Sequence, residues 1–352
     1  MSAQRAMFSE SELRREDQPQ LQLVPKPQAA GPDYYGIPFL KRPTWKWQIA
    51  SYFFFGGISG ASFALATVAR WAGGERTAEM RRLAHEVSFL TLLPCPALLI
   101  WDLGKPARFY HMLRVWKPGS PMNLGTWILT TFGGIVSLTA AQSLGEQIDI
   151  PGVSRLLRAL PARAVEAAGL PASIGITIYE GALLASTSVP VWNQTPLMGL
   201  IFGASSLASA AESIKLAALL RSPEAVPEWA PSLDWVTRAA RGLEWGTIVL
   251  HLRQSGLAGR PLRRGLRGAQ LFGSLGLTLA AAALPMLPAP PEHKPRRALW
   301  GALLGLAGTF LLRWVLVHAG QQAADDQQAA HAATRPTERA PGWQRARGWT
   351  ER

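Results

Sequence analysis

A single cysteine, Cys95, serves all 352 residues, and that scarcity excludes a good deal of chemistry. No intrachain disulfide can form. Neither an iron–sulfur cluster nor a thiolate zinc site can be assembled from this chain alone, so any cluster that works with it sits on another subunit. Cys95 stands between Pro94 and Pro96 inside an apolar segment, the surroundings of a small buried hydrophobe rather than of a reactive thiol. Acidic residues are few as well, 23 against 36 Lys and Arg, for a formal net charge of +13. The basic excess lies in connecting segments and terminal tails and forms no compact domain. That distribution argues against nucleic acid and for anionic headgroups or an acidic partner subunit.

Long stretches also lack charge of either sign. Residues 47–69, 118–145, 181–211 and 268–291 carry none, although the whole chain is only 48% hydrophobic with a mean hydropathy of +0.08. Segregation on that scale is membrane patterning, since about 20 apolar helical residues cross about 30 Å of hydrocarbon. Eight spans are expected, at roughly 48–70, 83–101, 122–144, 172–191, 196–219, 236–252, 268–287 and 298–319. Arg238, Arg241 and Glu244 fall inside the sixth. Barrel strands would be about 10 residues long and alternating, so the expected fold is all-α: a polytopic transmembrane bundle of about eight helices. Residues 1–46 read as an extramembrane tail without the apolar core and cleavage site of a signal peptide. The membrane domain takes 47–319, and 320–352 read as a disordered basic tail. Lys and Arg near the span ends are balanced between the two sides, so charge does not orient the bundle. Gly56, Gly57, Gly60, Gly133 and Gly134 supply small surfaces for close helix packing.

Carboxylates inside spans are costly and need a protein, partner or water environment. Glu86 opens the second span beside His85, Glu180 lies in the fourth, Glu212 in the fifth and Glu244 in the sixth. These four are candidates for a proton path. Glu212 and Lys215 are three apart and can pair on one helix face, which gives Glu212 a structural alternative. Glu180, in ITIYEGALLAS, has no base nearby in sequence, so it is either protonated at neutral pH by desolvation or lines a wet cavity, and the second is the functional reading preferred. The six histidines are residues 85, 111, 251, 293, 318 and 331. A b-type haem needs two facing axial ligands, and His251 with His318 is the one pair that alternating spans put on the same side. Histidine at a membrane interface is the commoner role, so no haem is expected. Trp45 and Trp47 read as an interfacial belt. Tyr52 lies deeper, flanked by Phe53, Phe54 and Phe55, where a hydroxyl can meet a quinone carbonyl.

Three segments carry a resemblance: YYGIPFLKRPTWKW running into SYFFFGGISG; the junction Asp102–Trp127, DLGKPARFYHMLRVWKPGSPMNLGTW; and YEGALLASTSVPVWN followed by PLMGLIFGASSLASAA. Together they resemble the NrfD/polysulfide reductase membrane-subunit family over about residues 34–220. The resemblance implies a haem-free, quinone-binding subunit of the bacterial cytoplasmic membrane. It would anchor a ferredoxin-like iron–sulfur subunit and a catalytic subunit of molybdopterin or multihaem cytochrome type. The cofactor implied is menaquinone or ubiquinone, held by Trp47, Tyr52, Asp102 and Tyr179. The implied partner-docking loop carries Lys105, Arg108, Arg114 and Lys117. Asp102 has a second reading, as a carboxylate that holds Lys105 or Arg108 and shapes the turn before Pro106. Many relatives carry Thr where Glu180 stands, so proton chemistry does not transfer from them. A secondary transporter with the buried glutamates as coupling sites and an inert structural anchor remain alternatives, although the first four spans show no repeat in the second four.

Overall fold

A computed structural model describes residues 40–147, 160–224, 226–288 and 290–326, and every regular element among them is helical. Most of both expected tails therefore lies outside the described residues. The long elements are α1 (Trp47–Gly73), α2 (Ala78–Leu92), α3 (Pro94–Asp102), α5 (Pro121–Gln147), α6 (Ala162–Ala185), α8 (Met198–Arg221), α9 (Ala230–Gln254), α11 (Gly265–Ala283) and α12 (Lys294–Asp325). Single turns α4 (His111–Arg114), α7 (Pro190–Asn193) and α10 (Arg260–Arg263) sit in the connections.

Five helical stretches are long and apolar enough to cross a membrane: Trp47–Asp102, which contains α1 to α3, Pro121–Ser143, Ala162–Ala185, Gly265–Met286 and Lys294–Asp325. The molecule is a polytopic helical bundle, as expected. α1, with 27 residues, is roughly 40 Å long at about 1.5 Å per residue. It runs through the middle, packing on α2, α3, α6, α8 and α12. Around it, α5 lies on α6, α9 on α8, and α11 on α12.

The structure adjusts three expected boundaries. The second span is two helices, because Pro94 has no N–H to continue the ladder and opens α3 as its first residue. The fourth begins at Ala162 and ends at Ala185, not at 172–191; the Ser186–Val189 turn and Pro190 stop it, and ten residues beginning with Ala162 join its N-terminal end. The last helix continues to Asp325.

Small residues set the closest approaches. Gly181 of α6 lies against the backbone of α8: a Cβ there would come 2.7 Å from the Gly199 nitrogen and meet the Met198 carbonyl. Gly320 leaves room for the ring of Trp192, which is fully buried and whose Nε1 donates to the Leu316 carbonyl at 2.8 Å. With no hydrophobic effect between helices in lipid, such contacts and internal polar bonds hold the bundle. Gly181→Ala is therefore expected to destabilise the detergent-solubilised protein by about 1–3 kcal/mol. Gly134→Ala, where a Cβ meets nothing within 4 Å, should not lower the thermal midpoint measured alongside it.

Candidate functional site

At the end of the bundle where α1 starts and α3 ends, the helices part around a cavity of about 310 Å³. This lies at the lower end of the range of about 300–1,000 Å³ typical of small-molecule sites. α1 contributes Ile49, Tyr52 and Phe53, α3 contributes Pro96, Leu99 and Asp102, and Gly125, Thr126, Leu129 and Gly133 come from α5. α6 adds Tyr179 and Leu183. The roof is the 103–120 connection, through Leu103, Phe109, Met112 and Leu113.

Tyr52, Asp102 and Tyr179 thus meet at one cavity although they are distant in sequence. The fourth expected residue, Trp47, does not line it. As the first residue of α1 it faces outward, 42% exposed and edge-on to Trp101 at 5.5 Å. Trp45 takes the inward place: it precedes the helix, so its direction is not tied to the helical register, and it stacks on Trp192 at 5.5 Å.

The polar groups of the cavity differ in how they are engaged. The Tyr179 hydroxyl donates to the Pro121 carbonyl at 2.7 Å, so its proton is committed to the start of α5; its ring lies where Gly125 has no side chain. Tyr52 is buried, 3% exposed, and no other described residue hydrogen-bonds its hydroxyl. Asp102 is half-buried at the rim with the Lys46 ammonium as the neighbouring charge. It forms no ion pair with Lys105 or Arg108 among the described residues, so the turn-shaping alternative lacks its partner.

Lys105, Arg108, Arg114 and Lys117 are all exposed on the same loop. Asn123, which the sequence patterns above did not single out inside the junction motif, ties that loop down. Its Nδ2 donates to the Met112 and Val115 carbonyls at 3.0 and 2.8 Å, and its Oδ1 accepts from the Lys117 amide at 2.7 Å. Trp101, Trp116 and Val115 stand exposed beside the basic residues.

The four carboxylates proposed from sequence have separate environments. Glu180 is fully buried, directly behind Tyr52: a Cβ on Gly56 would come 2.8 Å from its Oε1 and 3.5 Å from the Tyr52 ring. Glu212 and Glu244 grip the fully buried Arg241 at 2.8 and 2.7 Å. This corrects the expected Glu212–Lys215 pair. Lys215 reaches instead to Asp234 of α9 at 2.5 Å, because tertiary partners outcompete the neighbour on the same helix face. Glu86 is part-exposed at the opposite end of the bundle, paired with Arg82 at 3.2 Å and with Arg221.

Sequence reasoning missed two buried groups. Arg313, alone in TFLLRWVLVHAG, should have been flagged by the same rule that singled out the glutamates. It is fully buried, donates to the Phe202 carbonyl and Ser206 Oγ at 3.1 and 2.9 Å, and stacks on the Phe202 ring at 3.9 Å. Glu166 escaped because the fourth span was started too late; it is buried and pairs with Arg70 and with His85 Nε2 at 2.8 Å. His251 and His318, the pair weighed as haem ligands, each have a partner of their own. His251 Nδ1 hydrogen-bonds Thr195 Oγ1 at 2.7 Å and His318 stacks on Trp314 at 4.2 Å, its Nδ1 on the Trp314 carbonyl. Among the described residues, no three His, Cys, Asp or Glu converge as a metal-binding group.

The family model described as "Polysulphide reductase, NrfD" matches residues 38–324. The polysulfide reductase C subunit of Wolinella succinogenes is 26% identical over 299 residues, which cover 79% of this protein and 94% of the relative. The match takes in α1 to α12, beyond the segments up to about residue 220 that carried the resemblance, and the chain, a multi-pass integral membrane protein, belongs to the NrfD polysulphide reductase family.

Proposed function

We propose that this chain is the haem-free membrane anchor of a multi-subunit oxidoreductase. It binds quinone or quinol in the cavity under the 103–120 loop and exchanges electrons with an iron–sulfur subunit docked on that loop. The cavity carries the reading: apolar walls, a buried Tyr52 hydroxyl free of protein partners among the described residues and a carboxylate at the rim, beneath a basic loop. Bound menaquinone or ubiquinone would supply a two-electron, two-proton couple. The residues present fit such a ring. Trp45, Phe53 and Phe109 offer flat apolar surfaces, Tyr52 can donate to a carbonyl oxygen, and Asp102 can take up or return a proton at the rim.

One cysteine cannot bring electrons to this place, so they come from a neighbour's cluster. The relative's name, with its letter C within polysulfide reductase, marks it as one polypeptide among several. By analogy the partners here are a ferredoxin-like iron–sulfur subunit and a catalytic subunit of molybdopterin or multihaem type, in the bacterial cytoplasmic membrane. Lys105, Arg108, Arg114 and Lys117, with exposed Trp101 and Trp116, suit an acidic, partly apolar docking face.

Tyr52→Phe should weaken binding of a quinone analogue by roughly 2- to 12-fold, the worth of one hydrogen bond, and leave the thermal midpoint in place. Tyr179→Phe should instead cost about 1 kcal/mol of stability by freeing the Pro121 carbonyl. Titration of the purified chain with quinone analogues, followed by intrinsic tryptophan fluorescence, tests the first, and thermal midpoints test the second; no binding to the unmodified protein would remove the reading. Changing Lys105, Arg108, Arg114 and Lys117 to Glu should reduce association with the iron–sulfur partner by about tenfold or more at low salt. The difference should shrink as ionic strength rises, while quinone-analogue affinity stays the same. Equal association of both forms at low salt would exclude the loop as the docking face.

A further inference from the structure

Behind Tyr52 the buried charges do not end at Glu180. α8, α9 and α12 bring a file of them from the cavity towards the opposite end of the bundle. Gly57 of α1 stands between the two halves of the first step: next to Gly56, which faces Glu180, it leaves room for Ser206 and for Arg313, whose Nη2 lies 3.6 Å from where its Cβ would be. Arg313 is the cation whose field reaches Glu180, and Glu244 and Arg241 act on Arg313 in turn. One turn further along α8, Ser209 donates to Thr309 at 2.8 Å. Then come Glu244, Arg241 and Glu212, beside Gly305, whose carbonyl accepts from Arg241 at 3.1 Å. Lys215 with Asp234 leads to the far surface, where Arg221 and Glu86 are part-exposed.

Two observations distinguish this file from ordinary structural ion pairing. Thirteen buried side-chain nitrogen and oxygen atoms among the described residues have no hydrogen-bond partner, and seven belong to five of its members: both oxygens of Glu180, Nε and Nη1 of Arg313, Nε of Arg241, and one oxygen each of Glu212 and Glu244. Buried polar atoms that protein leaves unsatisfied are the places where ordered water bonds. The second is charge. Three carboxylates face two guanidiniums here, and an uncompensated charge in the bundle interior is expensive. One proton cancels it. Glu212 and Glu244 both accept from Arg241, which leaves Glu180 to hold that proton while Arg313 balances the excess negative charge of the Arg241 clamp.

We propose that Glu180, Arg313 and the Glu212–Arg241–Glu244 clamp form a proton route between the cavity and the membrane face opposite the 103–120 loop, with Glu180 holding the exchangeable proton. The inference rests on the quinone reading of the cavity. When a carbonyl oxygen there is reduced by the partner's electrons, the Glu180 O–H bond breaks and, by way of the Tyr52 hydroxyl that stands between Glu180 and the cavity, an O–H bond forms on that oxygen; the second proton of the couple comes from Asp102 at the rim. Glu180 then regains a proton from the far face along the file, and the reverse sequence applies on oxidation. Arg313 is a positioning residue in this scheme, because it carries no proton itself and sets the charge beside Glu180.

The intact complex in proteoliposomes, with an internal pH dye, tests the proposal. Wild type should show proton uptake or release at the far face in step with quinone turnover. Redox-induced infrared difference spectra should show a protonated-carboxyl band that is lost in Glu180→Gln. That variant should bind quinone analogue within about twofold of wild type but turn over at least about tenfold more slowly; Glu212→Gln, in mid-file, should lose the far-face proton signal at normal quinone affinity. Should either variant fold poorly, the wild-type infrared band and dye response carry the decision on their own. Absence of that band, or turnover and proton movement unchanged in Glu180→Gln, would overturn the route. Loss of quinone-analogue binding by the wild type would instead undo the underlying reading of the cavity.

Discussion

The bundle depends on how it deals with one fully buried guanidinium. Arg241 cannot be solvated in the interior, and Glu212 and Glu244, with the Gly305 carbonyl, supply the acceptors it needs. Those acceptors come from α8, α9 and α12 and fix the three helices to one another. Gly305 is part of the arrangement, because any Cβ there would overlap the Glu212 carboxylate. Breaking such a buried ionic group typically costs about 3–5 kcal/mol, whereas apolar side chains gain little from leaving lipid for one another. Relative helix placement is therefore decided by polar contacts and by the glycines that admit them, and the apolar surface fills in around them.

The cavity follows from what those contacts leave over. α1 is fixed on α8 and α12 through Gly57, and on α6 at Gly56, which faces Glu180, and at Gly60, where an added Cβ would come 2.6 Å from the Ser173 carbonyl. On its other side α3 is short, beginning afresh at Pro94 and ending at Asp102. The chain then crosses to α5 through a loop that Asn123 holds to the start of that helix. α5 presents Gly125 and Gly133 to the gap, and Tyr179 fills only the part next to Gly125. An opening with apolar walls and a few polar groups is left at the membrane end that the loop covers.

The sequence identified helices and their order well because charge-free runs are a strong signal in a membrane chain. The junction from Asp102 to Trp127 pointed to one side of the cavity because it is local: loop, rim carboxylate and the start of α5 are contiguous. Partners across the bundle were not legible. The i,i+3 spacing of Glu212 and Lys215 is a genuine helical contact, yet each found a better partner on α9, at residues 241 and 234. Arg313 lies more than a hundred residues from Glu180, so a search for nearby bases was bound to miss it. Trp45 and Trp47 differ only in standing just before or just inside the first turn of α1, a distinction that decides which one enters the cavity and lies below the precision of hydropathy.

The two ends of the bundle are chemically unlike, and this asymmetry bears on what an anchor can do. At the cavity end, one loop serves as roof and presents basic and aromatic residues outward, so on the proposed reading a docked electron donor and a bound ring would be separated only by that loop. At the other end, Glu86, Arg221, Lys215 and Asp234 form ion pairs that meet solvent or lie just beneath it. A redox carrier held at one end, as proposed, would take electrons from the nearer face by geometry alone. Protons have a choice: Asp102 offers the near face, and the buried file offers the far one. If they use the near face, the anchor only passes electrons to a lipid-soluble carrier. If they use the far face, each turnover moves charge across the bilayer, and the unsatisfied atoms around Glu180 and Arg313, costly in a merely structural helix bundle, have a reason to be there.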